Sequence, residues 1–145
     1  MSKVEDFLTA TQEQVLIQAI KAAEKNTSGE IRVHIEKETE LPTFERALEV
    51  FHTLKMDATQ LRNGVLFYIA VESKKFAILG DEGINKLVPG DFWDEEKELV
   101  LSYFKKGEFS KGLELAILEV GKKLKEYFPY MSDDTNELSD EISKG

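Results

Sequence analysis

An unbroken apolar run from Val65 to Val71 dominates the hydrophobic pattern of this chain. Arg62-Asn63-Gly64 precedes it, and the polar turn Glu72-Ser73-Lys74-Lys75 follows. A second apolar run, Phe76 to Leu79, ends abruptly in Gly80-Asp81-Glu82-Gly83. The pattern predicts two strands in a hairpin. Without polar alternation, the first strand belongs at the buried centre of a sheet covered on both faces.

Elsewhere the spacing is helical. Thr11 and Gln14 form a capping-box pair, and Val15, Leu16, Ala19, Ile20 and Ala23 follow on one face. Asn26-Thr27-Ser28-Gly29 stops that helix. Ile31, Val33 and Ile35 alternate with Arg32, His34 and Glu36, which predicts a half-buried strand. Pro42-Thr43 opens a second helix with Phe44, Ala47, Leu48, Phe51 and Leu54 at helical spacing. Pro89-Gly90 precedes an acidic third helix from Asp91 to about Phe104. A fourth carries Phe109, Leu113, Ala116, Ile117, Val120, Leu124 and Phe128.

This order predicts an α/β fold, a three-layer α/β/α sandwich with a small mixed sheet and helices on both faces. One domain is expected over residues 1–129, followed by an acidic disordered tail over 130–145. The first two strands, joined through a helix, should run parallel, and the third antiparallel to the second. Glu30, Arg62, Asn63, Gly80, Asp81 and Glu82 then fall on the same sheet edge.

Composition narrows the chemistry. The 145 residues include no cysteine, so disulfides, thiolate metal sites and cysteine nucleophiles are excluded. The N-terminus has no basic start or apolar stretch, and no apolar run approaches the ~20 residues that span a bilayer. A cytoplasmic monomer without membrane insertion is the expectation. The net charge is -9. Such a surface repels nucleic acid and anionic membranes, and favours divalent cations or an unidentified protein partner.

Asp81 and Glu82 are the leading candidates for chemistry. Asp81 fits the cap of a short helix, and with Glu82 it also fits a hard-cation site served by carboxylates and loop carbonyls. Glu30 is either a ligand at the same edge or the salt-bridge partner of Arg62 or Arg32. Asp57, Asp91 and Asp94 fit helix caps or dipole partners, and stand as further metal candidates. Asn63 could orient a ligand. No linear EF-hand is present, so any calcium site must be assembled from separate loops. His34 and His52 lack metal-ligand spacing, and His34 reads as a surface residue. Phe92-Trp93 reads as a core plug.

The same residues carry a family resemblance. Thr27 to Val33, Met56 to Thr59, Arg62 to Leu66, Gly80 to Asn85, Asp91-Phe92-Trp93 and Phe104 to Leu113 resemble the TPM domain in order, over about residues 20–129. The chain looks like a short bacterial branch without anchors. On this reading the expectation is a member without the signal sequence, membrane segment and aspartate-containing N-terminal approach of secreted or anchored members. The resemblance implies an α/β sandwich and divalent-cation binding, calcium especially and magnesium as second choice, at an acidic loop edge. The first reading is therefore a cation-binding module with a regulatory or protein-interaction output. The alternative is the acid phosphatase activity of plant members, metal-assisted, with Arg62 clamping phosphate and Asp81 as nucleophile or base.

Overall fold

The computed structural model describes residues 8–130 and 138–144. At its centre lies β2 (Gly64–Ala70), every residue of which is buried. On one side it pairs in parallel with β1 (Glu30–Glu36), with Glu30 opposite Gly64. On the other it pairs antiparallel with β3 (Lys75–Gly80), with Val65 opposite Gly80. A two-residue β4 (Ser143–Lys144) runs parallel to β1, giving the order β3-β2-β1-β4.

The period-two alternation of β2 divides the core. Val65, Phe67 and Ile69 face three helices: α1 (Ala10–Glu24), α4 (Asp94–Lys105) and α5 (Phe109–Tyr127). Leu66, Tyr68 and Ala70 face α2 (Thr43–Thr53), the 3-10 turn Met56–Ala58 and Leu138. The four-residue α3 (Glu82–Asn85) follows β3 directly. The architecture is the expected three-layer sandwich around a mixed sheet.

Several local expectations need correction. The capping box at the start of α1 is Thr9 with Gln12, not Thr11 with Gln14: Gln12 N–H donates to Thr9 Oγ1 at 3.1 Å, and Thr9 N–H to Gln12 Oε1 at 2.9 Å. Both pairs have the same spacing, and the earlier start places Leu8 in the core. β1 is buried on both faces, because Tyr68, Ser143 and the Arg46 side chain from α2 close over His34 and Glu36. α2 buries Ala47, Val50 and Phe51, while Phe44 stays 61% exposed. Its rotation lets Arg46 reach Glu36 at 2.7 Å. α4 begins at Asp94, because residues 91–93 form a turn that buries Phe92 and lays Trp93 against Gly80.

Residues 131–137 of the expected disordered tail lie outside the described residues. The described part departs from that expectation. Leu138 is buried, and Ser143 and Lys144 pair with His34 and Ile35. Lys144 Nζ also meets Glu13 Oε1 at 2.5 Å, which ties β4 to α1. Short polar segments of this kind carry no periodic signal of their own.

α5 packs against both α1 and α4. It approaches them closely through glycine: a Cβ on Gly121 would stand 2.7 Å from Ala23 Cβ and 2.9 Å from Ala23 Cα. In an exposed helix, glycine to alanine gains about 1 kcal/mol. Here the added methyl meets main chain, so Gly121→Ala should lower stability by about 1–3 kcal/mol in urea denaturation. A variant as stable as the parent would show that α1 and α5 separate freely.

Candidate functional site

The predicted edge assembles around the first residue of β2. Glu30 N–H donates to Asn63 O at 3.2 Å, and Asp81 N–H donates to Gly64 O at 2.9 Å. The starts of β1 and β2 and the end of β3 are thereby fixed side by side. Asn63, expected to orient a ligand, is a buried clamp: its Nδ2 donates to Ser28 O at 3.2 Å. Thr27 and Ser28 in turn bind Phe128 O, which anchors this loop to the end of α5.

Arg62 and Asp81 form the centre of the edge. Arg62 Nε donates to Asp81 Oδ2 at 2.9 Å and Nη2 to Oδ1 at 3.1 Å, a two-pronged ion pair. Asp81 Oδ1 also accepts the Glu82 N–H at 2.7 Å, so this carboxylate does cap α3. Asp81 is 5% exposed. Glu82 is exposed, with Oε1 3.5 Å from Arg62 Nη1. The hydrogen bond that Arg62 donates to Asp81 raises the Arg62 pKa, and the charges of Asp81, Glu82 and Asp57 add to it. Arg62 thus stands in the field of three acids.

The backbone beneath this pair is tightly constrained. Arg62 has φ 51°, the left-handed region that costs a non-glycine residue free energy. Gly83 N–H donates to Arg62 O at 2.9 Å. A Cβ on Gly83 would lie 2.3 Å from Leu61 O, so only glycine permits this approach.

The remaining metal candidates are dispersed. Asp57 also pairs with His52 at 3.5 Å. Glu30 is buried on the far side of Gly64, where its Oε1 accepts the Leu138 N–H at 2.6 Å. Asp91 and Asp94 are exposed around Trp93 and make no ion pair among the described residues. Asp91 does not cap α4 with its side chain, and Glu96 is fully buried against Lys123 at 2.7 Å. As the side chains stand, no three histidine or acidic groups among the described residues converge to hold a metal ion. The arrangement fits a cation at Asp81 and Glu82 only where the guanidinium moves aside.

Two buried polar clusters had no sequence signal. His34, expected at the surface, lies 6% exposed and stacked on Tyr68. Burial pushes its pKa down, so the ring is neutral. Its Nε2–H donates to Glu36 Oε1 at 3.1 Å, leaving Nδ1 to accept from Ser143 Oγ at 2.9 Å. Burial alone would raise the Glu36 carboxyl, but hydrogen bonds from Arg46, Tyr68 and His34 hold it at about 2. The Ser143-His34-Glu36 string has the order of a catalytic relay. With Glu36 committed to Arg46 and Tyr68, it instead ties together β4, β1, β2 and α2.

The second cluster gathers Glu24, Glu30 and Asp140 at the start of β1. Glu24 Oε2 accepts the Ile31 N–H at 3.1 Å. Burial, then a hydrogen bond with Asp140, pushes the Glu24 carboxyl up to about 9.

Together these features define a small α/β/α domain with an acidic, arginine-bridged edge. The chain belongs to the TPM domain family, which matches residues 1–123. It is similar to the BA42 protein of the psychrophilic bacterium Bizionia argentinensis, whose NMR structure is 54% identical, with TM-score 0.92 over 100% of both chains. The N-terminal domain of a P. gingivalis protein shares the fold at 17% identity and TM-score 0.69, over 84% of this chain and 79% of that one. No curated protein matches the chain. No helix among the described residues is long and apolar enough to cross a membrane.

The two carboxyl clusters set opposite pH limbs. Glu36 contributes stability above the unfolded carboxyl range, lost as pH falls toward about 2. Glu24 binds its proton more tightly in the folded state, so its contribution is fully present below about 4.5 and lost as pH rises to about 9. Glu24→Gln should therefore flatten the fall in urea stability between pH 6 and pH 9, windows of roughly that width following from the shift. Parallel curves for parent and variant would contradict the buried, protonated Glu24.

Proposed function

We propose that this TPM-type module binds a divalent cation, calcium in preference to magnesium, at Asp81 and Glu82. The observation that carries the reading is the position of Arg62. Its guanidinium bridges two carboxylates and lies in the field of Asp57 as well. One positive charge serves three negative ones, and a divalent ion would offset more of that charge than arginine does. Asp81 and Glu82 would hold the ion, with loop carbonyls and water completing the oxygen shell that calcium demands. Leu61 and Leu87, 48% and 54% exposed, stand in the loops on either side of Arg62 and α3. They suit a regulatory contact with a protein partner whose affinity follows the charge of the edge. An acid phosphatase reading would bring an anionic phosphate to an edge where three acids already surround Arg62.

Calcium and then magnesium, titrated into chelator-stripped protein and followed by amide NMR, test the proposal. Saturable shifts should centre on Arg62, Asp81 and Glu82, and vanish in Asp81→Asn. Arg62→Asn removes the competing cation while tolerating the left-handed backbone, and should tighten binding about tenfold. Shifts centred on Glu24, Glu30 and Asp140, or diffuse shifts that never saturate, would overturn the assignment. Turnover of a phosphate ester above the blank, lost in Asp81→Asn, would favour the enzyme instead.

A further inference from the structure

The opposite end of the β2–β3 hairpin carries a cavity of about 530 Å³. It lies about 20 Å from the Arg62–Asp81 edge, the length of a seven-residue strand. Ile69, Val71, Leu101, Phe104 and Phe109 supply most of its wall. The volume falls within the range of sites that enclose a small organic ligand.

Its polar groups are of one kind. Among the described residues, Lys74 and Lys105 are the only charged side chains lining it. Neither makes an ion pair among the described residues. The acid nearest to Lys74 in the chain, Glu72, has Lys37 at 3.9 Å. Lys74 sits at φ 53° in the hairpin turn, Lys105 in the last turn of α4. Phe109 opens α5, whose first turn carries no acid and whose N-cap residue, Glu108, makes no side-chain cap bond. In a chain of net charge -9, a cavity with an apolar wall and, among the described residues, only cationic charge has a specific complement.

We propose that this cavity binds a small amphiphilic anion, a medium-chain fatty carboxylate, with its hydrocarbon among Ile69, Leu101, Phe104 and Phe109 and its head group at Lys74 and Lys105. The apolar wall offers nothing to a polar ligand body. The lysines offer donors only, so the head group must accept hydrogen bonds and carry negative charge. This site is independent of the cation edge and does not need it.

Decanoate titrated below its micelle concentration, followed by amide NMR, tests the assignment. Saturable shifts should be confined to the residues around the cavity. A neutral amphiphile, octyl glucoside, and inorganic sulfate should each bind about tenfold more weakly or worse, since each supplies only half of the complement. The double variant Lys74→Asn, Lys105→Gln alters exposed positions, and should lose about tenfold in decanoate affinity while keeping the amide spectrum of a folded chain. Equal binding of octyl glucoside, or an unchanged double variant, would reduce the cavity to a non-selective apolar crevice and overturn the proposal. Sulfate binding as tight as decanoate would assign an anion site without a hydrocarbon pocket. Absence of saturable shifts would remove the site altogether.

Discussion

Seven successive residues of β2 without an exposed side chain require apolar or satisfied polar partners on both faces and both edges. One face meets this demand in bulk, with three long helices closing over Val65, Phe67 and Ile69. The other has only α2, a single 3-10 turn and Leu138 to work with. That thinner cover explains why polar groups are drawn into the second core. Tyr68 is fully buried there with a hydroxyl to satisfy, and Glu36 accepts from it. A buried carboxylate then needs compensation, which Arg46 and His34 supply. The network follows from the packing deficit of one layer.

The same strand also sets the chemistry of its ends. Gly64 is flanked by Glu30 on β1 and by Asp81 beyond β3, so acids remote in sequence become neighbours through register alone. Each carboxylate is handled differently. Asp81 receives a guanidinium, Glu30 a backbone N–H, and Glu24 keeps a proton. The acids at this edge are accommodated by three different means: an ion pair, a backbone hydrogen bond and a retained proton.

Much of this was legible from residue patterns. The apolar run at Val65 to Val71 announced the central strand, and Gly80-Asp81-Glu82-Gly83 announced the edge and the cap. What the pattern hid has physical causes. Thr9 and Thr11 precede glutamines at identical spacing, and only burial of Leu8 decides between them. His34 alternates as an exposed residue would, and only its contacts with Tyr68 and Ser143 turn its side inward. The partner of Arg62 depended on which loop carbonyl Gly83 could approach, a contact with no sequence period. The role of residues 138–144 rests on pairing at an edge more than a hundred residues away in the chain.

The union of Arg62 and Gly83 has a mechanical meaning. The main chain at Arg62 is pinned by its left-handed turn and by the Gly83 N–H, while its guanidinium reaches the surface, 39% exposed. Release of Asp81 therefore requires no loop to open. It requires the two hydrogen bonds to Asp81 to break and the arginine side chain to rotate, with the main chain left in place. A change of partner for Asp81 would therefore leave the strands and the turn where they are, the adjustment confined to one side chain.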